Sequence, residues 1–157
     1  MKKFELTNEF VTNMFGTKLF RIRALVEFGD VEAGELGGYV EKESNLGHDD
    51  NAWVYGDARV YGDAWVYGNA RVCGDALVCG DARVCGNGDY AYAHGFGSVN
   101  RTTTFFRLKD GGVGVRCGCF YGTLAQFRDK IRETHGETKK AQEYLMLADL
   151  MKLRFEK

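Results

Sequence analysis

Three histidines, His48, His94 and His135, and five cysteines, Cys73, Cys79, Cys85, Cys117 and Cys119, are the most reactive side chains in this sequence. A histidine serves as a general base only when a partner group is in reach. Cysteines 73, 79 and 85 recur every six residues, a spacing that invites a zinc reading, and zinc needs ligands converging at about 2.3 Å on one ion. A second set is aromatic and basic: Trp53, Trp65 and Tyr67 with Arg71, Arg83 and Arg101. Rings and guanidiniums of this kind hold flat or anionic ligands by stacking and by cation–π contact. Which of these chemistries is open depends on where the chain puts them.

What positions them is a repeat. Val54, Val60, Val66, Val72, Val78 and Val84 recur every six residues, each followed by an aromatic or cysteine, a glycine and an Asp or Asn, with alanine at Ala58, Ala64, Ala70, Ala76 and Ala82. In Ala-x-Val-x, strand alternation sends alanine and valine to one face and the x residues to the other. Gly-Asp or Gly-Asn supplies the corner, because glycine accepts positive φ and Asp or Asn tolerates it. Three strands and three corners close a turn of a solenoid, so positions eighteen apart stack. Trp53 then lies under Arg71, Trp65 under Arg83, and Tyr55, Tyr61 and Tyr67 each meet a cysteine.

The pattern between Trp53 and Gly88 resembles the hexapeptide-repeat family of left-handed parallel β-helices. That resemblance implies about three coils, with weaker hexads at His48–Trp53 and Tyr90–Gly95 opening and closing the helix, and a homotrimeric assembly. The fold class expected is mainly β: a short left-handed β-helix over 46–97, an N-terminal β cap over 1–45 and a C-terminal ββαα unit over 98–157. In the cap, Lys18–Phe28 reads as a strand that Phe4–Val11 can pair with. In the tail, Thr102–Leu108 and Val113–Phe120 read as a hairpin around Lys109-Asp-Gly-Gly. Thr123 caps a helix to His135, Gly136 ends it, and a second helix runs from Lys139 to Leu153 with Ala141, Tyr144, Leu145, Ala148 and Met151 on its apolar stripe, widened by Leu147 and Leu150. The tail, with Cys117-Gly-Cys-Phe and Glu143-Tyr-Leu-Met-Leu-Ala-Asp-Leu, is similar to uncharacterised proteins of gut bacteria and their phages.

A formal net charge of −1 without charge blocks gives no footprint for nucleic acid. The amino end lacks the apolar core of a signal peptide and no run suits a membrane span, so a cytoplasmic location with free thiols is expected. On the triangular coil Cys73, Cys79 and Cys85 fall on three different faces and cannot share an ion. Cys117 and Cys119 share one strand face and are expected to pack in the hairpin. Neither a metal nor a cofactor is expected. Gly111, Gly112 and Gly114 lie in a turn between strands, not before a helix, so they make no phosphate loop.

Hexapeptide proteins include acyltransferases that use a histidine, often on a loop leaving the coil. The hexads here run without such a loop, and His94 is the one histidine that an interface could use. The reading preferred is therefore a non-catalytic binding protein. Trp53, Trp65, Tyr67, Arg71, Arg83 and Arg101 form its ligand surface, with Arg101 continuing the Trp65–Arg83 ladder. The similarity to phage proteins implies a counter-defence role: sequestering a small nucleotide-type signal between subunits, or blocking a host defence protein. Alternatives are a hexapeptide acyltransferase and a structural trimerisation module.

Overall fold

The computed structural model describes residues 2–97 and 101–156. Its elements follow the chain as β1 (Phe4–Thr12), β2 (Lys18–Ala24), β3 (Leu36–Val40), six two-residue strands β4 (Trp53–Val54), β5 (Arg59–Val60), β6 (Trp65–Val66), β7 (Arg71–Val72), β8 (Leu77–Val78) and β9 (Arg83–Val84), then β10 (Tyr90–Phe96), β11 (Arg101–Arg107), β12 (Val113–Cys117), β13 (Phe120–Thr123), α1 (Leu124–His135) and α2 (Lys139–Phe155). The protein is mainly β, with parallel strands in the repeat and a two-helix unit at the carboxyl end.

The repeat behaves as its period dictates. Trp53 pairs in parallel with Arg71, Arg59 with Leu77 and Trp65 with Arg83, each eighteen residues on. Every alanine from Ala52 to Ala82 and every valine from Val54 to Val84 in the hexads is buried. Corner glycines 56, 62, 68, 74 and 80 all have φ between 62° and 67°, the left-handed region that a residue with a Cβ enters only with strain.

The solenoid begins earlier and stops sooner than the hexad pattern predicts. Val40 pairs in parallel with Val60, and Leu46 with Val66. These steps are twenty residues, because the chain from Leu46 to Val54 is two residues longer than a hexad. Strand β3 is thus both the last strand of the cap and the first rung of one coil face, giving a five-stranded sheet ordered β1-β2-β3-β5-β8. Asn45 closes the irregular corner: its Oδ1 accepts the Glu41 and Lys42 amides, and its Nδ2 donates to the Gly62 and Ala64 carbonyls.

At the other end, Tyr90–Gly95 is not a closing hexad. It lies in β10, the edge of a four-stranded antiparallel sheet ordered β10-β11-β12-β13, so the tail has four strands rather than two. The hexad fails there because Asn87-Gly-Asp-Tyr offers neither alanine nor valine to the interior. The expected boundary at Ser98 lies outside the described residues. Alternation along β11 explains how the tail docks. Phe106 enters the core of the coil, while its neighbour Phe105 enters a second core with Phe127, Ile131, Tyr144, Ala148 and Met151 from the helices. Helix α1 starts at a reciprocal cap between Thr123 and Gln126 and ends at Gly136, φ 60°. On α2 the stripe is buried at Ala141, Tyr144, Ala148, Met151 and Phe155, whereas Leu150 is exposed.

Candidate functional site

The reactive side chains are spread apart. The Nδ1 of His48 accepts the Lys3 amide at 3.1 Å and its ring stacks on Phe4. His94 lies on β10 with Nδ1 2.8 Å from Thr102 Oγ1. His135 ends α1 and stacks on Tyr144. Cys73, Cys79 and Cys85 follow β7, β8 and β9 on three separate faces; Cys73 Sγ lies 3.8 Å from the Tyr90 hydroxyl, and Cys85 Sγ donates to Asp89 Oδ2 at 3.3 Å. Burial pushes the Cys79 thiol up, so it stays protonated. Cys117 packs beside Tyr144, but Cys119 sits exposed in the turn after β12 instead of sharing the strand's packed face.

The aromatic and arginine ladders are rearranged by their neighbours. Trp53 does project from the coil, but the cap covers it: the residue is 1 % exposed, and Phe28 packs edge-on at 5.3 Å. It is a core residue and offers no ligand face. Arg71 turns from Trp53 to an ion pair with Asp30. Arg83 donates to the Asp63 and Ala82 carbonyls and makes no cation–π contact with Trp65 among the described residues. Trp65 instead stacks on Tyr67, centroids 3.8 Å apart. Arg101 does not extend that ladder, because the eighteen-residue register ends before it and β11 carries it to a different face. On the first full coil Tyr55 and Trp65 are exposed, Tyr61 and Tyr67 are half-buried, and Trp53 is covered.

The face that Arg101 reaches holds a cleft of about 480 Å³ where three parts of the chain converge. The cap hairpin contributes Asn13 and Met14, the coil contributes Tyr39, Arg59 and Tyr61, and the tail sheet contributes Arg101 and Arg116. Their positions follow from local structure. Arg59 and Tyr61 are outward residues of one rung. Arg116 stands opposite Thr104 on the coil-facing side of β12, and Thr104 Oγ1 accepts the Leu77 amide at 3.0 Å, fixing sheet against coil. Arg101 lies over Gly118, where any Cβ would collide with its guanidinium.

Electrostatics single the cleft out. Arg21, Arg23, Arg71, Arg107, Arg128 and Arg132 each meet a carboxylate. Arg59, Arg83, Arg101, Arg116 and Arg154 meet none among the described residues; Arg83 and Arg154 donate to carbonyls elsewhere, whereas the other three share this cleft, which Asp57 and Asp75 also line. Arg116 is 5 % exposed, and its guanidinium lies 4.9 Å from the Phe15 ring and 5.9 Å from the Tyr61 ring. Burial, and then Cys79, push the Tyr61 phenol well up, so it remains a neutral hydroxyl. Sequence reasoning missed Arg116, Arg59 and Asn13. A signal existed for Arg116: in Val113-Gly-Val-Arg-Cys, alternation puts an arginine on the face opposite Val115, and both faces of that strand are packed.

The fold defines a β-solenoid of six-residue repeats closed by a β cap and an α/β tail. Residues 52–68, 64–80 and 70–86 match the model of a family described as the YdcK beta solenoid repeat, and these matches fall wholly within the coil. No curated protein matches the chain.

Proposed function

We propose that this is a non-catalytic binding protein, in which a left-handed coil of about three turns serves as the scaffold for a cleft that takes a small nucleotide-type anion. The observation that carries this reading is the convergence of Arg59, Arg101 and Arg116 on one cleft without carboxylate partners among the described residues. Ligand pockets of about 300–1,000 Å³ with a few convergent polar groups are typical of small-molecule sites. The cleft is formed within one chain, so ligand capture does not require the subunit interface expected from the sequence. A homotrimer joined through the partly open Tyr55 and Trp65 faces remains part of the proposal, as does a phage or prophage counter-defence setting in the cytoplasm.

Native mass spectrometry with cyclic dinucleotides, other signalling nucleotides and acetyl-CoA tests it. Retention of one nucleotide per chain supports the reading. A protein that stays bare with every nucleotide removes it and moves the weight to a blocked protein partner or a structural module. Acetyl-CoA turnover that disappears in His94→Ala would support an acyltransferase instead.

A further inference from the structure

Two buried side-chain donors border this cleft and have no acceptor among the described residues: Arg116 Nε and Asn13 Nδ2. The Asn13 amide is oriented by its own oxygen, which accepts the Phe15 and Thr17 amides at 2.9 and 3.0 Å. Its nitrogen is thereby committed as a donor. Leaving such groups unmet is costly, and more so for a charged one, since each forgoes the hydrogen bonds that water gives it in the unfolded chain. Neither atom has accessible surface as placed, so a small side-chain turn is what would bring each to an acceptor-rich anion held in the cleft.

We infer, resting on the binding reading above, that the inner end of the cleft is a subsite for the phosphoryl group of a small phosphorylated molecule. Arg116 and Asn13 donate from its floor, with Arg59 and Arg101 closing on it from the coil and the tail. Charge decides between anions. Three guanidiniums with no carboxylate partner match a phosphomonoester carrying about −1.5 to −2 at neutral pH better than a carboxylate carrying one charge. The planar forks of arginine also match the several oxygens of a tetrahedral phosphoryl group. Asp57 and Asp75, both exposed, favour hydroxyl or amino donors on the part of the ligand beyond its phosphates. Met14 and Phe15, 64 % and 61 % exposed at the hairpin tip, offer an apolar surface to its body.

Calorimetric titration of the full chain with inorganic pyrophosphate, ADP and adenosine tests the subsite. ADP and pyrophosphate bind, adenosine binds about tenfold or more weakly than ADP, and Arg116→Met weakens the two phosphorylated probes about tenfold or more, the loss of a charge-assisted hydrogen bond. Arg116→Met does not lower the melting temperature, because it removes an unpaired buried charge. Should that variant fail to fold, Arg59→Gln and Arg101→Gln, at the less buried positions, carry the same test with smaller losses. Adenosine binding as tightly as ADP, or ADP binding indifferent to all three arginines, overturns the phosphoryl assignment and leaves the binding reading standing. No binding of ADP, pyrophosphate or adenosine overturns the phosphoryl assignment, and a protein that also stays bare with every nucleotide of the mass-spectrometric screen overturns both.

Discussion

The phenol of Tyr121 rests on Gly80, in the space that a Cβ there would occupy, and its oxygen accepts the Asp81 amide at 3.3 Å. Tyr92 covers Gly74 in the same way one corner earlier. The corner glycines therefore serve twice, as left-handed turns and as seats for the tail sheet. Gly80→Ala meets both a strained φ of 62° and the Tyr121 ring, and should cost about 1–3 kcal/mol. Gly86→Ala has open space and a φ of −156°, and should be neutral within about 0.5 kcal/mol. Urea denaturation of the two variants checks the contrast.

Asn45 makes its four hydrogen bonds while fully buried. Asn45→Ala leaves the Lys42 amide and the Gly62 and Ala64 carbonyls without this partner at the irregular corner, while the Glu41 amide keeps its bond to the Val60 carbonyl. A loss of about 2–4 kcal/mol is expected, since each stranded buried group costs roughly 1–3 kcal/mol and some relax toward water. A thermal melt that does not fall would show that the corner is held by something else.

Interior packing gives a further expectation. Ala76 is fully buried at a corner of the coil, so Ala76→Leu forces bulk against the stacked valines. Overpacking of this kind costs about 1–3 kcal/mol, whereas Leu77→Ile, on the outward side of the same strand, should change stability by less than about 1.5 kcal/mol. Comparing the midpoints of chemical denaturation separates inward from outward positions.

These residues also show what the sequence made legible. The coil was readable because one physical rule, alternation with a glycine corner, is repeated at every hexad, and the eighteen-residue pairing of Trp53 with Arg71 followed from it. Tyr90–Gly95 was misread because Ala91 and Ala93 imitate the hexad's small residues, while the pairing that claims them, with Phe105 and Thr103, comes from distant sequence. Lys3 illustrates the same limit. Its Nζ donates to the Ala52 carbonyl at 2.6 Å, to the Asp50 carbonyl and to its carboxylate, filling the end of the coil. Nothing local marks that lysine as buried. The cleft was out of reach for the same reason, since its arginines come from three parts of the chain that only docking brings together.

Acid should act through Asp89. Burial pushes its carboxyl up, but bonds from the Cys85 amide and thiol and from Arg107 outweigh burial and hold it below the ordinary range. Arg107 also donates to the Phe155 carbonyl at 3.1 Å, so this cluster ties the coil's end to both tail sheet and helix. A carboxylate with a depressed folded pKa contributes stability above its unfolded value, about 3.9, and that contribution is lost as pH falls through the folded pKa. Asp89→Asn should be less stable than wild type at pH 7 by about 1.5 kcal/mol or more, and the difference should shrink below about pH 4. Denaturation at several pH values reads the convergence; a gap constant down to pH 3 would contradict the assignment.

On the proposed binding function, ligand is held in the cleft between cap, coil and tail and not on the Trp65–Tyr67 face. Amide chemical-shift mapping during titration with ADP tests this most directly. Perturbations are expected to cluster at Asn13 to Thr17, Arg59 to Tyr61 and Val115 to Gly118, with Trp65, Tyr67 and Arg83 unmoved. Shifts confined to Trp65, Tyr67 and Arg83 would contradict it.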